Sequence, residues 1–455
     1  MFSNSDIQPD NKTVSVGFIS LGCAKNLVDS QLMAGVLVSQ KLSLARSPEE
    51  ADIVIVNTCA FIDEARAESM EMIESACSLK RTGQCKAVLV TGCLPQRYKE
   101  DLKTRLPEVD AFIGLDELES VASVVLQLAK GKRGIFRVSA RSTKIYEPRV
   151  PGITFTGGPF AYLKIAEGCN HRCSFCAIPD IRGAYRSRTI SQILGEAGKL
   201  LANGVKELNL ISQDVTSYGR DLKYDTDLAK LLGELGQLGG NFWIRLLYGH
   251  PAMVSDCLLK MMAETPKVCR YLDLPIQHSH PDMLRAMRRS NTIMHVETMA
   301  DRIRAVMPDA ALRTTCLVGF PGETEEHFDH LLDFIRRVEF DHLGVFTYSP
   351  EEHTSAFEMP DRPDPELAAA RRDDLLVAQM EIVDRKAQGM IGTETEVLLE
   401  RKTGNNIWVG RARRSAPEVD GIVLIEQIPA DRQAGDFVKV RYTAQQEYDM
   451  LAVSI

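Results

Sequence analysis

No stretch of this 455-residue chain approaches the ~20 consecutive apolar residues that a membrane-spanning helix needs, so no membrane partner is expected. The polar start, Met1 to Lys12, lacks the apolar segment of a signal peptide. Excess positive charge is missing as well. The chain carries a net −8, a poor match for RNA, where phosphate neutralisation supplies most of the non-specific affinity. The eleven cysteines are odd in number and come without an export signal. That combination excludes a disulfide framework and points to reduced thiols and metal sites in the cytoplasm. With 44% apolar residues, the chain has material for the cores of two to four domains.

One further absence is the most informative. The run Glu167-Gly-Cys-Asn-His-Arg-Cys-Ser-Phe-Cys-Ala-Ile-Pro179 holds Cys169, Cys173 and Cys176 in CxxxCxxC spacing, and no fourth cysteine follows until Cys257. Three soft thiolates suit three corners of a cubane iron–sulfur cluster and leave one iron open for chemistry. An electron carrier of the ferredoxin type would close that corner. A zinc knuckle would want CxxC pairs with four ligands. His171, inside the loop, reads as loop surface.

A second set of thiols follows strand ends. Val14 to Leu21, Ile53 to Val56 and Ala87 to Val90 read as short buried strands, ending near Cys23, Cys59 and Cys93. Helical stretches follow each of them, at Leu27 to Ser39, Asp63 to Leu79 and Gln96 to Arg105. Strands alternating with helices imply a parallel sheet whose carboxyl ends share one edge, so these three cysteines should converge on a second open cluster. Cys77, Cys85, Cys257, Cys269 and Cys316 read as small buried residues.

From Tyr162 the alternation restarts, with strands expected at Tyr162 to Ala166, Glu207 to Ile211, Phe242 to Tyr248, Tyr271 to Leu274, Leu312 to Val318 and His342 to Tyr348. Six βα units imply a partial (β/α) barrel with its site at the carboxyl-terminal mouth. Polar residues at those strand ends are Ser212, Gln213, Asp214, His250, Gln277 and His278, with the turn Val318 to Glu323. Asp364 to Gln388 reads as a charged closing helix. Five short β runs then suggest a small barrel of the oligonucleotide-binding kind. Met390 to Ile455 holds eight Lys plus Arg against ten Asp plus Glu, a net −2, which suits a basic protein partner docked near the barrel mouth better than RNA. Arg182, Arg186, Arg188, Arg411, Arg413 and Arg414 remain the places where phosphate could sit; solvated faces or ion pairs within the protein are the alternative.

The triplet with Phe175 before its third cysteine resembles the signature of radical S-adenosylmethionine (SAM) enzymes. SLGCAKNLVDS, VNTCAFI and TGCLPQRY resemble the amino-terminal domain of the methylthiotransferases, and the tail looks like their TRAM domain. Gln31 departs from that family's more usual Glu and touches no expected ligand. EGCNHRCSFCAIPDIRGAYRSR, ISQDVTSYGRD, RLLYGHP and YLDLPIQHSHPDMLRAMRR resemble the RimO branch, which modifies an aspartate of ribosomal protein S twelve, and not the MiaB branch, which modifies an adenosine of tRNA.

The resemblance implies an α/β chain of an amino-terminal domain over 12–130, a linker over 131–158, a radical SAM barrel over 159–388 and a TRAM barrel over 389–455. It implies two [4Fe–4S] clusters, one on Cys169, Cys173 and Cys176 that binds SAM and one on Cys23, Cys59 and Cys93 that handles sulfur. Phe175, Gln213, Gly319 and Gly322 are the expected SAM contacts; Asp214, His250, Gln277 and His278 are the expected substrate contacts. Sulfur on the amino-terminal cluster would take a methyl group from one SAM, and a 5′-deoxyadenosyl radical from another would open the aspartate β-carbon. An external electron donor such as flavodoxin or ferredoxin and a sulfur donor are implied partners. A tRNA methylthiotransferase and a non-catalytic iron–sulfur carrier or scaffold are the competing readings. If the two triads load independently, changing Cys169, Cys173 and Cys176 to Ala should leave about half the iron, measured per chain after anaerobic reconstitution.

Overall fold

The computed structural model describes residues 14–147 and 153–455; Met1 to Lys12 and residues 148–152 of the expected linker lie outside them. The chain clusters into two compact units, one ending at Ile153 and taking in Asp180–Arg182, the other holding the remainder.

In the first unit, β1 (Ser15–Ser20), β2 (Ser43–Leu44), β3 (Ile53–Thr58), β4 (Ala87–Gly92), β5 (Ala111–Ile113) and β6 (Ile135–Arg137) form one parallel sheet in the order β2-β1-β3-β4-β5-β6. Helices α1 (Ala24–Ser39), α2 (Asp63–Thr82), α3 (Cys93–Tyr98), α4 (Asp101–Arg105) and α5 (Val121–Ala129) connect the strands. Every residue of β3 and β4 is buried, so both read as near-continuous apolar runs, as central parallel strands do. Two expectations differ. Gln96 to Arg105 is not one helix, because Lys99 takes φ +49° and breaks it into α3 and α4. Ile135–Arg137, inside the stretch read as linker or crossing strand, pairs with β5 as an edge strand.

In the second unit, β7 (Phe160–Lys164) is followed by the two-residue β8 (Ala166–Glu167), β9 (Arg186–Ser187) and α7 (Ile190–Ala202); α6 (Ile178–Arg182), between β8 and β9, ends in the three residues grouped with the first unit. Then come β10 (Glu207–Ile211), α8 (Leu228–Gly236), β11 (Trp243–Leu246), α9 (Asp256–Glu264), β12 (Val268–Asp273), α10 (Pro281–Ala286), α11 (Ile293–Val306), β13 (Ala311–Val318), α12 (Glu325–Val338), β14 (His342–Thr347) and α13 (Pro365–Met390). The six long strands make an open parallel sheet in the order β14-β13-β12-β11-β10-β7, the partial barrel expected. Its core joins Leu208, Leu210, Ile244 and Leu312 of the strands to Ile193, Leu231, Leu259, Ile303, Leu331 and Leu375 of the helices. α12 shows why such segments fold as they do. Thr324 and His327 form a capping box, Glu325 and Glu326 lie in its first turn, Arg336 and Arg337 in its last, and Phe328, Leu331, Ile335 and Val338 share its buried face.

The tail is a closed barrel of β15 (Glu394–Lys402), β16 (Trp408–Ala412), β17 (Val423–Glu426), β18 (Phe437–Gln446) and β19 (Asp449–Ser454). Its position differs from expectation. It packs on the amino ends of the parallel strands, opposite the mouth: Phe437 lies 5.0 Å from Trp243 at the start of β11, and the His342 ring at the start of β14 pairs with the Arg414 carbonyl at 2.8 Å. Its acids are occupied there. Glu418 accepts from Tyr162, and Asp420 accepts from Tyr271 and Arg313. Cys257 also differs, being exposed; Cys77, Cys85, Cys269 and Cys316 are buried as read. Among the described residues no helix is long and apolar enough to cross a membrane.

The joint between tail and barrel centres on Glu207. Its carboxylate receives Arg245 Nε at 2.7 Å and the Arg411 guanidinium, and all three side chains are sealed from solvent. Burial alone would raise this carboxyl, but Arg411 and Arg245 outweigh it and hold it below the usual carboxylate range. Its contribution is therefore present above the unfolded value of about 4.3 and is lost as pH falls through the lower folded value. Glu207→Ala leaves two buried guanidinium groups without their counter-charge and should destabilise the unit by about 3–5 kcal/mol, read as a fall in the urea midpoint at pH 7.

Candidate active site

The first triad is built by strand register. Ser20 pairs with Asn57 and Thr58 with Gly92, so three adjacent strands end nearly flush. Cys23 caps α1, Cys59 directly follows β3, and Cys93 opens α3. Gly22 takes φ +84°, and a Cβ there would stand 2.7 Å from the Cys59 Cβ, so only glycine lets these two cysteines approach. Asn26 ties the edge together: its amide donates to the carbonyls of Leu21 and Thr58 at 3.0 and 2.9 Å, and its Oδ1 lies 3.6 Å from Cys93 Sγ.

A buried cation serves this edge. Arg182, grouped with this unit, donates to Asn26 Oδ1 at 2.6 Å and to Asp29 at 3.1 Å, and lies 3.6 Å from Cys93 Sγ. Burial pushes the Cys93 thiol up to about 12 against the pull of Arg182, and burial also raises Cys59. At Cys23 burial acts the same way, but Lys25, Arg182 and two backbone N–H groups win, and the thiol falls below its ordinary value. Cys59 feels the charge of Cys23, and Cys93 that of both, so the structure brings all three together.

The second triad sits on the loop between β8 and β9, two short antiparallel strands that pinch it closed. Gly168 has φ +80°, and a Cβ there would meet the Ala184 carbonyl oxygen at 2.2 Å; the pinch requires glycine. Ser174 fastens the loop by donating N–H to Met287 and Oγ to Ala286, at 3.1 and 2.9 Å. Burial pushes Cys169 up to about 12, with Asp214 and Cys173 adding to it, and burial with its sister thiols raises Cys176 further.

Both triads fit an iron–sulfur cluster on the chemistry of their donors. Each offers three reduced thiols in mutual electrostatic reach, with an arginine beside them: Arg182 at the first, and Arg289, whose NH1 lies 3.5 Å from Cys173 Sγ, at the second. Cys59, Cys93, Cys169 and Cys176, raised by burial, resist ionisation until a metal charge is present to hold them.

The expected ligand contacts are divided by the structure. His171 is no surface residue: its Nε2 meets Asp214 at 2.7 Å and its ring stacks on His250 at 4.0 Å. Asp214 also accepts from Thr216 N and Oγ1 and from Ser217 Oγ, which fills its four acceptor positions. Burial would raise its carboxyl, but the hydrogen bonds from His171, Ser217 and Thr216 hold it low. Burial first, then Arg289 and His171, pushes His250 down to about 2, so its ring is neutral. Gln213 donates to Glu167 at 2.8 Å, and Phe175 packs with Met283, Met287, Leu317 and Phe320. These residues gather at the triplet.

Gln277 and His278 have contacts of their own. Gln277 takes φ +70° and continues the ladder through Cys316. His278 is fully buried, 3.9 Å from Glu323, and burial pushes its ring down to about 3. Gly319 donates N–H to Glu323 at 3.0 Å and faces Ala368 of α13; Gly322, at φ +80°, has open space on its Cβ side. Arg289 and Asn26 are site residues that sequence reasoning left out. Asn26, one turn after Cys23, carried a local signal as a polar residue beside a cysteine; Arg289, 116 residues from Cys173, carried none. The arginines named as phosphate candidates are engaged inside the protein, Arg188 with Glu196, Arg411 with Glu207, Arg413 with Glu396 and Arg414 with Asp341.

A thiol triad behind the first strand of a partial parallel barrel, with a second triad on its own sheet, defines an iron–sulfur enzyme of the radical SAM class. Family descriptions match in the same order: "Uncharacterized protein family UPF0004" over residues 15–114, "Radical SAM superfamily" over 163–335 and "TRAM domain" over 391–455. The radical SAM methyltransferase TsrM from Kitasatospora setae shares the fold, with a TM-score of 0.55 at 14% identity over 76% of this chain and 74% of that one. Two relatives are each called "Ribosomal protein uS12 methylthiotransferase RimO". The one from Desulfitobacterium hafniense is 41% identical over 98% of this chain and 99% of that protein. The one from Desulforamulus reducens is 44% identical over 96% and 98%. The chain belongs to the RimO family of methylthiotransferases. It is an enzyme whose cofactors are the family's, SAM and [4Fe–4S] clusters.

Arg182 gives this site a test. Arg182→Met removes the cation that sits beside Cys93 and bonds Asp29, and should weaken iron binding at the first triad by roughly 10–100-fold. Iron retained against a chelator, in a chain whose second triad is already Ala, measures it.

Proposed function

We propose that this chain transfers a methylthio group to the β-carbon of an aspartate in small-subunit ribosomal protein uS12, in the cytoplasm. The observation that carries the reading is the pair of three-thiol sets, each without a fourth cysteine, in a chain of the RimO family. Cys169, Cys173 and Cys176 would hold one [4Fe–4S] cluster with SAM, and Cys23, Cys59 and Cys93 the other. Bound there, the two clusters and SAM supply reductive radical formation and a methylated sulfur.

The protein's own part is placement. Asp214 and the neutral His250 fix His171 in the triplet loop; Ser174 anchors that loop to the end of α10. Arg289, held by the Pro275 carbonyl at 2.8 Å, keeps a cation on the thiolate side. Preorganised charge of this kind holds SAM, the C–H bond and sulfur in line without rearrangement. Phe175 and Gln213 are proposed SAM contacts near the triplet. The proposed division is 12–130 for sulfur handling, extended by the edge strand Ile135–Arg137 of the expected linker, 159–388 for the radical barrel and 389–455 for the TRAM barrel. An external electron donor such as flavodoxin or ferredoxin and a sulfur donor complete the cycle.

Reconstituted enzyme given SAM, reductant and uS12 should add one SCH3 in place of hydrogen on an aspartate, located by tandem mass spectrometry. Changing Cys23, Cys59 and Cys93 to Ala should abolish that mass gain and leave 5′-deoxyadenosine formation. A methylthio gain on tRNA adenosine with uS12 unmodified would turn the reading to the tRNA branch.

A further inference from the structure

Away from both triads, four of the nine histidines gather where α10 and α12 begin. His280 precedes α10, Asp282 lies in its first turn, and His327 and His330 share one face of α12 at i, i+3 spacing. The His280 ring lies 4.4 Å from His327 and 5.1 Å from His330, centre to centre. One ligand atom from each of His280, Asp282 and His327 stands within 4.8 Å of the other two. His278, two residues before His280, is the fourth histidine and is buried behind them.

We propose that His280, His327 and Asp282 form a binding site for a divalent transition-metal ion of the zinc type, with His330 as the neighbouring ring. Imidazole nitrogen with one carboxylate oxygen suits zinc or nickel, and disfavours magnesium or calcium, which take oxygen ligands. The rings stand close enough to share one ion, with His280 packed against both His327 and His330. Ser279 Oγ engages His330 Nδ1 at 2.8 Å, so Nε2 is the His330 nitrogen outside that bond.

The other two rings are less committed. His280 Nδ1 takes the Asp282 N–H at 3.2 Å and His327 Nδ1 the Thr324 N–H at 3.1 Å. Both contacts are long and lie at half-exposed helix starts, where water can take over the N–H when the ring turns to a metal. Asp282 is exposed and paired with Arg285, an exposed partner a divalent ion displaces readily. Bound metal would pin the start of α10 to the start of α12, and with it the strand end that carries Gln277 and His278.

The test uses untagged, cluster-loaded full-length enzyme titrated calorimetrically with zinc chloride while cluster absorbance is followed. The site predicts one equivalent bound without loss of that absorbance, and affinity lowered roughly 10–100-fold in His280→Gln and in His327→Gln. Glutamine at 327 preserves the capping box, so that variant should melt like the parent without zinc. Zinc should raise the melting temperature of the parent and not of the variants. Equal affinity in parent and both variants, no binding at millimolar zinc, or binding that bleaches the clusters would each overturn the site.

Discussion

Like-charged sulfur is hard to concentrate. Three thiolates placed together repel one another, and burial makes ionisation costlier still, so an open cluster site works only where the backbone forces the approach before metal arrives. The chain meets this demand twice by different means. In one sheet, three strand ends in register bring distant cysteines to a common edge, with Gly22 giving Cys59 room. At the barrel, a single loop is pinched by β8 and β9 over Gly168. An arginine lies beside a thiol in each case, which offsets part of the repulsion without occupying the open corner.

Much of this was legible in the sequence because spacing and periodicity are local signals. CxxxCxxC needs only a loop, and the strands at Glu207–Ile211 and His342–Thr347 announce themselves by apolar runs of strand length. Cys23, Cys59 and Cys93 were harder, since their approach depends on strand order; a common place after each strand sufficed. Short edge strands such as Ile135–Arg137 carry too few residues to show a period.

What stayed hidden depends on three-dimensional pairing. His171 looks like loop surface until Asp214 and His250, far along the chain, reach it from the strand ends. Net charge said nothing of where the tail sits, because Asp420 and Glu418 spend their charge and hydrogen bonds on Arg313, Tyr271 and Tyr162. The Glu207 centre is invisible for the same reason: Arg411 lies 204 residues further along the chain.

The tail's seat on the amino ends of the strands turns the barrel into a cup. Traffic then becomes a matter of order. With the base stoppered by the β-barrel around Trp243 and Phe437, SAM, its spent products and the target side chain pass by the rim at the strand ends. On the proposed function, a bulky protein substrate seated there would hold small molecules in place while it stays and free them when it leaves. Turnover in such a vessel would follow the residence time of its largest guest.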